Sequence, residues 1–135
     1  MFDDSRPIFQ QLADRIADEV LRGIYAEEEA VPSTNELAAH LQINPATAGK
    51  ALNLLVERDV LYKKRGIGMF VAPGARSLIA EERRRSFAVR FVAPLLAEAR
   101  SLGLGPAEIV AIIDQQTEAA AQAAEPELRN QEEAR

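Results

Sequence analysis

Two helix-start signals lie so close together in this chain that few folds accommodate both. Ser33-Thr34-Asn35-Glu36 has capping-box spacing: Ser33 accepts from a first-turn amide while Glu36 reaches back to the cap. Asn44-Pro45 places a good N-cap residue directly before a proline at the first helical position. The helix opened by the first signal carries Leu37, Ala38 and Leu41 inward, and only Gln42 and Ile43 separate Leu41 from the second signal. Two short helices joined by so tight a turn must cross steeply, which is helix-turn-helix geometry. The later helix runs from Pro45 to about Arg58, with Ala48, Ala51, Leu52 and Leu55 as its buried face.

The flanking sequence completes the unit. Ile8, Leu12, Ile16 and Val20 recur every four residues and predict a first helix from about Pro7 to Arg22, stopped at Gly23. A short acidic connection around Glu27, Glu28 and Glu29 leads to Pro32. After the third helix, Val60–Lys64 and Met69–Ala72 read as two strands around Arg65-Gly66-Ile67-Gly68. A hairpin in that position is a wing. The expected class is therefore mainly α with a small β-hairpin wing: a winged helix-turn-helix over 7–76, followed by a two-helix dimerisation tail over 77–124. In the tail, a long helix from Ser77 to about Leu102 is expected to bend at Pro94, and a last helix carries Ile109, Val110, Ile112 and Ile113. The Ala/Gln/Glu-rich end, 125–135, reads as disordered.

Charge locates the candidate function. The total is −5. Residues 1–43 hold three basic against nine acidic side chains. Residues 44–76 reverse this, with Lys50, Arg58, Lys63, Lys64, Arg65 and Arg76 against only Glu57 and Asp59. A basic stretch spanning the third helix and the wing of a protein that is acidic in total is an electrostatic footprint for duplex DNA. The third helix would lie in the major groove, with Asn44, Ala46, Thr47 and Lys50 near bases or phosphates. Ser33, Thr34 and Asn35 at the start of the second helix would approach the same duplex. Lys63, Lys64 and Arg65 would meet phosphates, and Gly66 would let the hairpin tip approach a groove closely. The competing reading is a winged-helix protein-interaction module without sequence-specific DNA binding, which the acidic total would suit.

These residues resemble a known family. Pro7-Ile8-Phe9-x-Gln11, Gly23, Val31-Pro32-Ser33-x-x-Glu36-Leu37-Ala38, Asn44-Pro45-x-Thr47 and Gly66-x-Gly68-x-Phe70-Val71 look like the signature of GntR-type regulators. The match covers Pro7 to Ala72, and the Asn-Pro helix start with a short two-helix tail is similar to the YtrA-like branch. The resemblance implies a homodimeric DNA-binding repressor of transcription, often placed beside transporter operons, acting on a pseudo-palindromic operator. This chain departs from the pattern at Asn35, where the family usually carries a DNA-contacting arginine. It departs again at Ile67, often polar or basic, and at Met69, usually threonine. These changes point to an altered site preference.

The tail supplies the expected means of pairing. Two amphipathic helices cannot bury Phe87, Phe91, Leu95, Ile109 and Ile113 against each other alone, whereas a twofold helical interface would cover them. The wings of such a homodimer would stand about 34 Å apart, one turn of DNA. A small-molecule effector has room only in a cleft between protomers or between the tail and the DNA-binding head, since a drug-sized pocket needs roughly 300 Å³. No cofactor and no metal is expected: His40 and Glu36 are only two ligands. Catalysis has little to draw on, with no cysteine, one histidine and no phosphate-binding glycine loop, so an enzyme is not expected. The absence of cysteine, of a long apolar run and of a signal-like start predicts a cytoplasmic protein with no membrane partner. The run Arg83-Arg84-Arg85 reads as a solvated helix face, with Glu81 pairing Arg85 one turn away.

Overall fold

The computed structural model describes residues 2–133, with side chains through residue 125. Helices α1 (Ile8–Leu21), α2 (Thr34–Leu41) and α3 (Pro45–Glu57) precede a hairpin of β1 (Leu61–Lys64) and β2 (Gly68–Val71). Then follow α4 (Ala75–Phe87), a π-helical turn (Ala88–Val92), α5 (Ala93–Ser101) and α6 (Pro106–Glu133). The chain divides into two compact units, Met1–Ser86 and Phe87–Arg135, so nearly all of α4 belongs to the winged helix.

The core of the first unit forms where α1 and α2 pack on α3. Leu12, Ala13, Ile16 and Val20 meet Leu37, Ala38, Ala48, Ala51, Leu52 and Leu55 there, closed by Val60, Leu61 and Val71 from the hairpin and Ala75 and Ile79 from α4. One member of the four-residue stripe departs from the expectation. Ile8 is 42% exposed, and its neighbour Phe9 packs against the core instead.

The helix ends show why the turns are so short. Gly23, at φ +82°, ends α1 as Ile24 N–H donates to Glu19 O and Gly23 N–H to Val20 O, the paired bonds of a Schellman motif. Asp59 (φ 62°) ends α3 with the same pair of bonds, Val60 to Leu55 and Asp59 to Val56. Gln42 is also left-handed, at φ 54°, and Ile43 N–H returns to Ala38 O at 3.1 Å. That reversal lets α3 start soon after α2 ends.

The hairpin pairs antiparallel, with Leu61 opposite Val71, Tyr62 opposite Phe70 and Lys64 opposite Gly68. The acidic connection, read from sequence as a plain loop, lies along the other edge of β2. Val31 N–H donates to Met69 O, Val71 N–H to Glu29 O and Glu28 N–H to Val71 O, and Ala30 bridges Phe70. Its side chains add further ties: Glu27 accepts from Gly74 N–H, Glu28 from the Tyr62 hydroxyl at 2.5 Å, and Glu29 from Ala26 N–H. Helical periodicity and strand alternation are both missing from a stretch this short, so its sequence does not announce the pairing.

Helix α4 is fastened to α1. Arg83 donates to Asp18 Oδ1 at 2.7 Å, the same carboxylate receives Arg22, and Arg76 Nε donates to Leu21 O. The arginine run is thus not simply a solvated face, and no Glu81–Arg85 pair forms among the described residues. In the second unit the bend expected at Pro94 takes another form. The backbone widens into the π-helical turn, Ala93 N–H donates to Ala88 O, and α5 begins at Ala93 with Pro94 in its first turn. Helices α5 and α6 enclose an open apolar cleft of about 250 Å³ lined by Leu95, Ala99, Leu102, Leu104, Ile109 and Ile113. The disorder expected over 125–135 is not what the backbone shows as far as residue 133, where α6 continues; residues 134 and 135 lie outside the described residues.

Candidate nucleic-acid interface

The two helix caps hold their residues in place while leaving hydrogen-bond donors over. Ser33 Oγ accepts from Glu36 N–H at 3.2 Å, so its hydroxyl hydrogen is available. The reciprocal bond from the Glu36 carboxylate to the cap is not formed among the described residues. Asn44 Oδ1 accepts from Ala46 N–H at 2.9 Å, leaving the side-chain NH₂ unengaged among them. Both caps are exposed, and each marks a helix N-terminus, whose free amides and dipole favour an anion.

The outer face of α3 carries Ala46 and Lys50 in the open and Thr47 half-buried, while Ala48, Ala51, Leu52 and Leu55 face the core. Thr34, half-buried, lies against Gly49, where an added Cβ would be 3.6 Å from Thr34 Cγ2, so α2 approaches α3 closely at this point. Asn35 is exposed. Lys50 is not a free-swinging charge: its Nζ sits 4.2 Å from the centroid of the Phe9 ring on α1. Nothing in the helical periodicity of α1 signals that arrangement.

On the wing, Lys63, Lys64, Arg65 and Gly66 are all exposed. Tyr62 and Phe70 face each other across the strands with ring centroids 6.0 Å apart, and Lys64 Nζ lies 4.3 Å over Phe70. The Glu28 carboxylate that accepts the Tyr62 hydroxyl holds that phenol above its ordinary pKa, because ionising it would remove the donor. The sequence named the wing cations but not the aromatic platform that restrains one of them. The alternation of Tyr62 and Lys64 on one strand face was the available signal.

The candidate residues thus gather on one unit, on α2, α3 and the hairpin, while Phe87, Phe91, Leu95, Ile109 and Ile113 lie in the other. Phe87 and Phe91 are not isolated aromatics. Their ring centroids are 5.7 Å apart, and Arg90 covers Phe91 at 5.1 Å, yet both rings stay more than half exposed. Among the described residues no group of three or more His, Asp or Glu is arranged to hold a metal, and no helix is long and apolar enough to cross a membrane.

The family model for bacterial regulatory proteins of the gntR family matches residues 8–71. A crystal structure of a putative transcriptional regulator of that family from Bacteroides thetaiotaomicron is 35% identical, with a TM-score of 0.67, over 84% of this chain and 98% of that one. This chain belongs to the GntR family. Its winged helix-turn-helix and the two-strand hairpin are those of GntR structures. The transcriptional repressor YtrA of Bacillus subtilis is 30% identical over 77 residues, 57% of this chain and 59% of that protein. The chain spans less than two thirds of the curated relatives it first matches, only 28% of some. The DNA-binding domain of AraR, solved in complex with an operator, is 27% identical with a TM-score of 0.50, over 53% of this chain and 93% of that one.

Proposed function

We propose that this GntR-family chain is a sequence-specific, DNA-binding transcriptional regulator that acts in the cytoplasm as a homodimeric repressor on a pseudo-palindromic operator. The observation that carries the reading is the shared location of the donors and cations. Ser33, Asn44, Thr47 and Lys50 lie on the helix pair, and Lys63, Lys64 and Arg65 lie on the adjoining wing, the last six of these within 44–76, where six basic side chains face two acidic ones. Helix α3 would enter the major groove, with Asn44, Ala46, Thr47 and Lys50 toward base edges or phosphates and Ser33, Thr34 and Asn35 toward the backbone. The solved AraR complex with an operator supports this use of the fold.

Dimerisation is proposed through residues 77–124. Phe87, Val89, Phe91, Leu96, Val110 and Ile113 all stand more than 45% exposed, an apolar surface that a second copy would cover. Two copies would place their wings about one helical turn, 34 Å, apart. A transporter operon as target, and a small-molecule effector lodged at the protomer interface, extend the same reading. Titrating a fluorescent duplex selected from random sequence tests it: saturable binding that weakens steeply with salt is expected, since neutralised phosphates release counterions. Equal binding to every duplex would remove the claim of sequence specificity.

A further inference from the structure

The wing tip carries one side chain that neither the fold nor phosphate binding explains. Ile67 is 74% exposed and lies in no core cluster. Its amide closes the turn by donating to Lys64 O at 2.9 Å. Gly66 and Gly68 flank it at φ +79° and +150°, conformations that favour glycine, and a Cβ at either would meet nothing within 4 Å. The turn Arg65-Gly66-Ile67 therefore presents only two side chains, and the one between the glycines is apolar. Lys63, Lys64 and Arg65 precede it in the chain, and no acidic residue occurs between Asp59 and Glu81 in sequence. Lys64 is drawn back over Phe70, at 4.3 Å, rather than held forward at the tip.

An exposed isoleucine with Lys63 and Arg65 as near neighbours in sequence is poorly suited to water and well suited to the apolar faces of stacked bases between two rows of phosphates. The minor groove is only about 6 Å wide, so it admits a narrow tip and excludes a broad one. From this we infer that Ile67 is a minor-groove wedge: it presses between two stacked base pairs while the neighbouring cations hold the phosphates on either side. Pyrimidine–purine steps unstack with least resistance, so the wedge selects such a step, and bends the duplex there, without hydrogen-bonding a base. The inference rests on the proposed reading of the first unit as a DNA binder. It assigns specificity to a position that carries no donor or acceptor.

The test uses the full chain and a duplex selected by it, labelled at both ends for energy transfer, with I67S and the conservative I67L. The parent is expected to bring the duplex ends closer together. I67S is expected to bind about 10-fold more weakly, as exposing most of one buried aliphatic side chain implies. Its salt slope and melting temperature should be unchanged, because the substitution removes neither a charge nor any core packing, and the duplex should stay straight. I67L should restore most of the affinity and the bend. If the parent binds and I67S matches it in affinity and bending, the wedge is refuted while the DNA-binding reading stands. If I67S loses affinity and I67L loses it equally, the side chain is not acting by apolar insertion and the inference also fails. A parent that binds no duplex would overturn both.

Discussion

Replacing Leu12 and Ile8 separately with alanine tests the packing of the first unit. Both belong to the apolar stripe of α1, yet Leu12 is 1% exposed and Ile8 42%. Leu12→Ala removes a fully covered side chain and leaves a cavity among Ile16, Leu37 and their neighbours, which typically costs about 2–5 kcal/mol. The unit Met1–Ser86 would have roughly 4–13 kcal/mol in total at ordinary stability per residue. One substitution would then remove a large share of it and lower the melting temperature by about 10–25 °C, at the roughly 5 °C per kcal/mol usual for this size. Ile8→Ala should cost under about 1 kcal/mol, because little area returns to water. Urea unfolding followed by circular dichroism at the helical band measures both. Equal shifts for the two variants, or a Leu12→Ala effect below about 1 kcal/mol, would refute the packing described for α1.

Three further outcomes follow from particular interactions. Gln42→Gly should stabilise the chain by up to about 1 kcal/mol in the same unfolding experiment, because Gln42 holds a left-handed φ of 54° that glycine adopts without a Cβ penalty. Glu28→Gln should move the Tyr62 ionisation, followed by ultraviolet difference titration, back toward its ordinary value. In the parent the folded-state pKa is raised, so the bond's stabilisation is fully present below the unfolded phenol pKa and is lost as pH rises through the folded one. In sedimentation at micromolar concentration the parent should run as a dimer, and Phe91→Glu as a monomer, because a charge placed on the proposed tail interface would be buried unpaired.

Much of the architecture was legible because it rests on local signals. Ser33 and Asn44-Pro45 mark helix starts whatever surrounds them, and the small buried residues Ala48 and Ala51 reveal which face of α3 meets the core. Features set by distant partners were not legible. The backbone of Glu28–Val31 acquires strand pairing only because β2 lies beside it. Arg83 looks like part of a solvated run until α4 brings it to Asp18, separated from it by 65 positions. Lys50 could be placed on the outer face of α3 from spacing alone, but its restraint by Phe9 depends on how α1 crosses α3. Pro94 announced a perturbation, although whether a helix bends, breaks or widens there depends on how the preceding carbonyls are satisfied. In each case spacing gave the element, and packing decided what its side chains met.

The central claim is that the α2–α3 pair and the wing form one DNA-reading surface, and the salt dependence of duplex binding in K50A, R65A and T47A tests it most directly. The claim predicts that K50A and R65A each weaken binding to all sequences and flatten the slope of log affinity against log salt, by about 0.9 for each phosphate no longer neutralised. T47A should instead leave the slope unchanged and alter the ranking among operator variants. Affinity, slope and ranking all equal to the parent in the three variants would contradict the account.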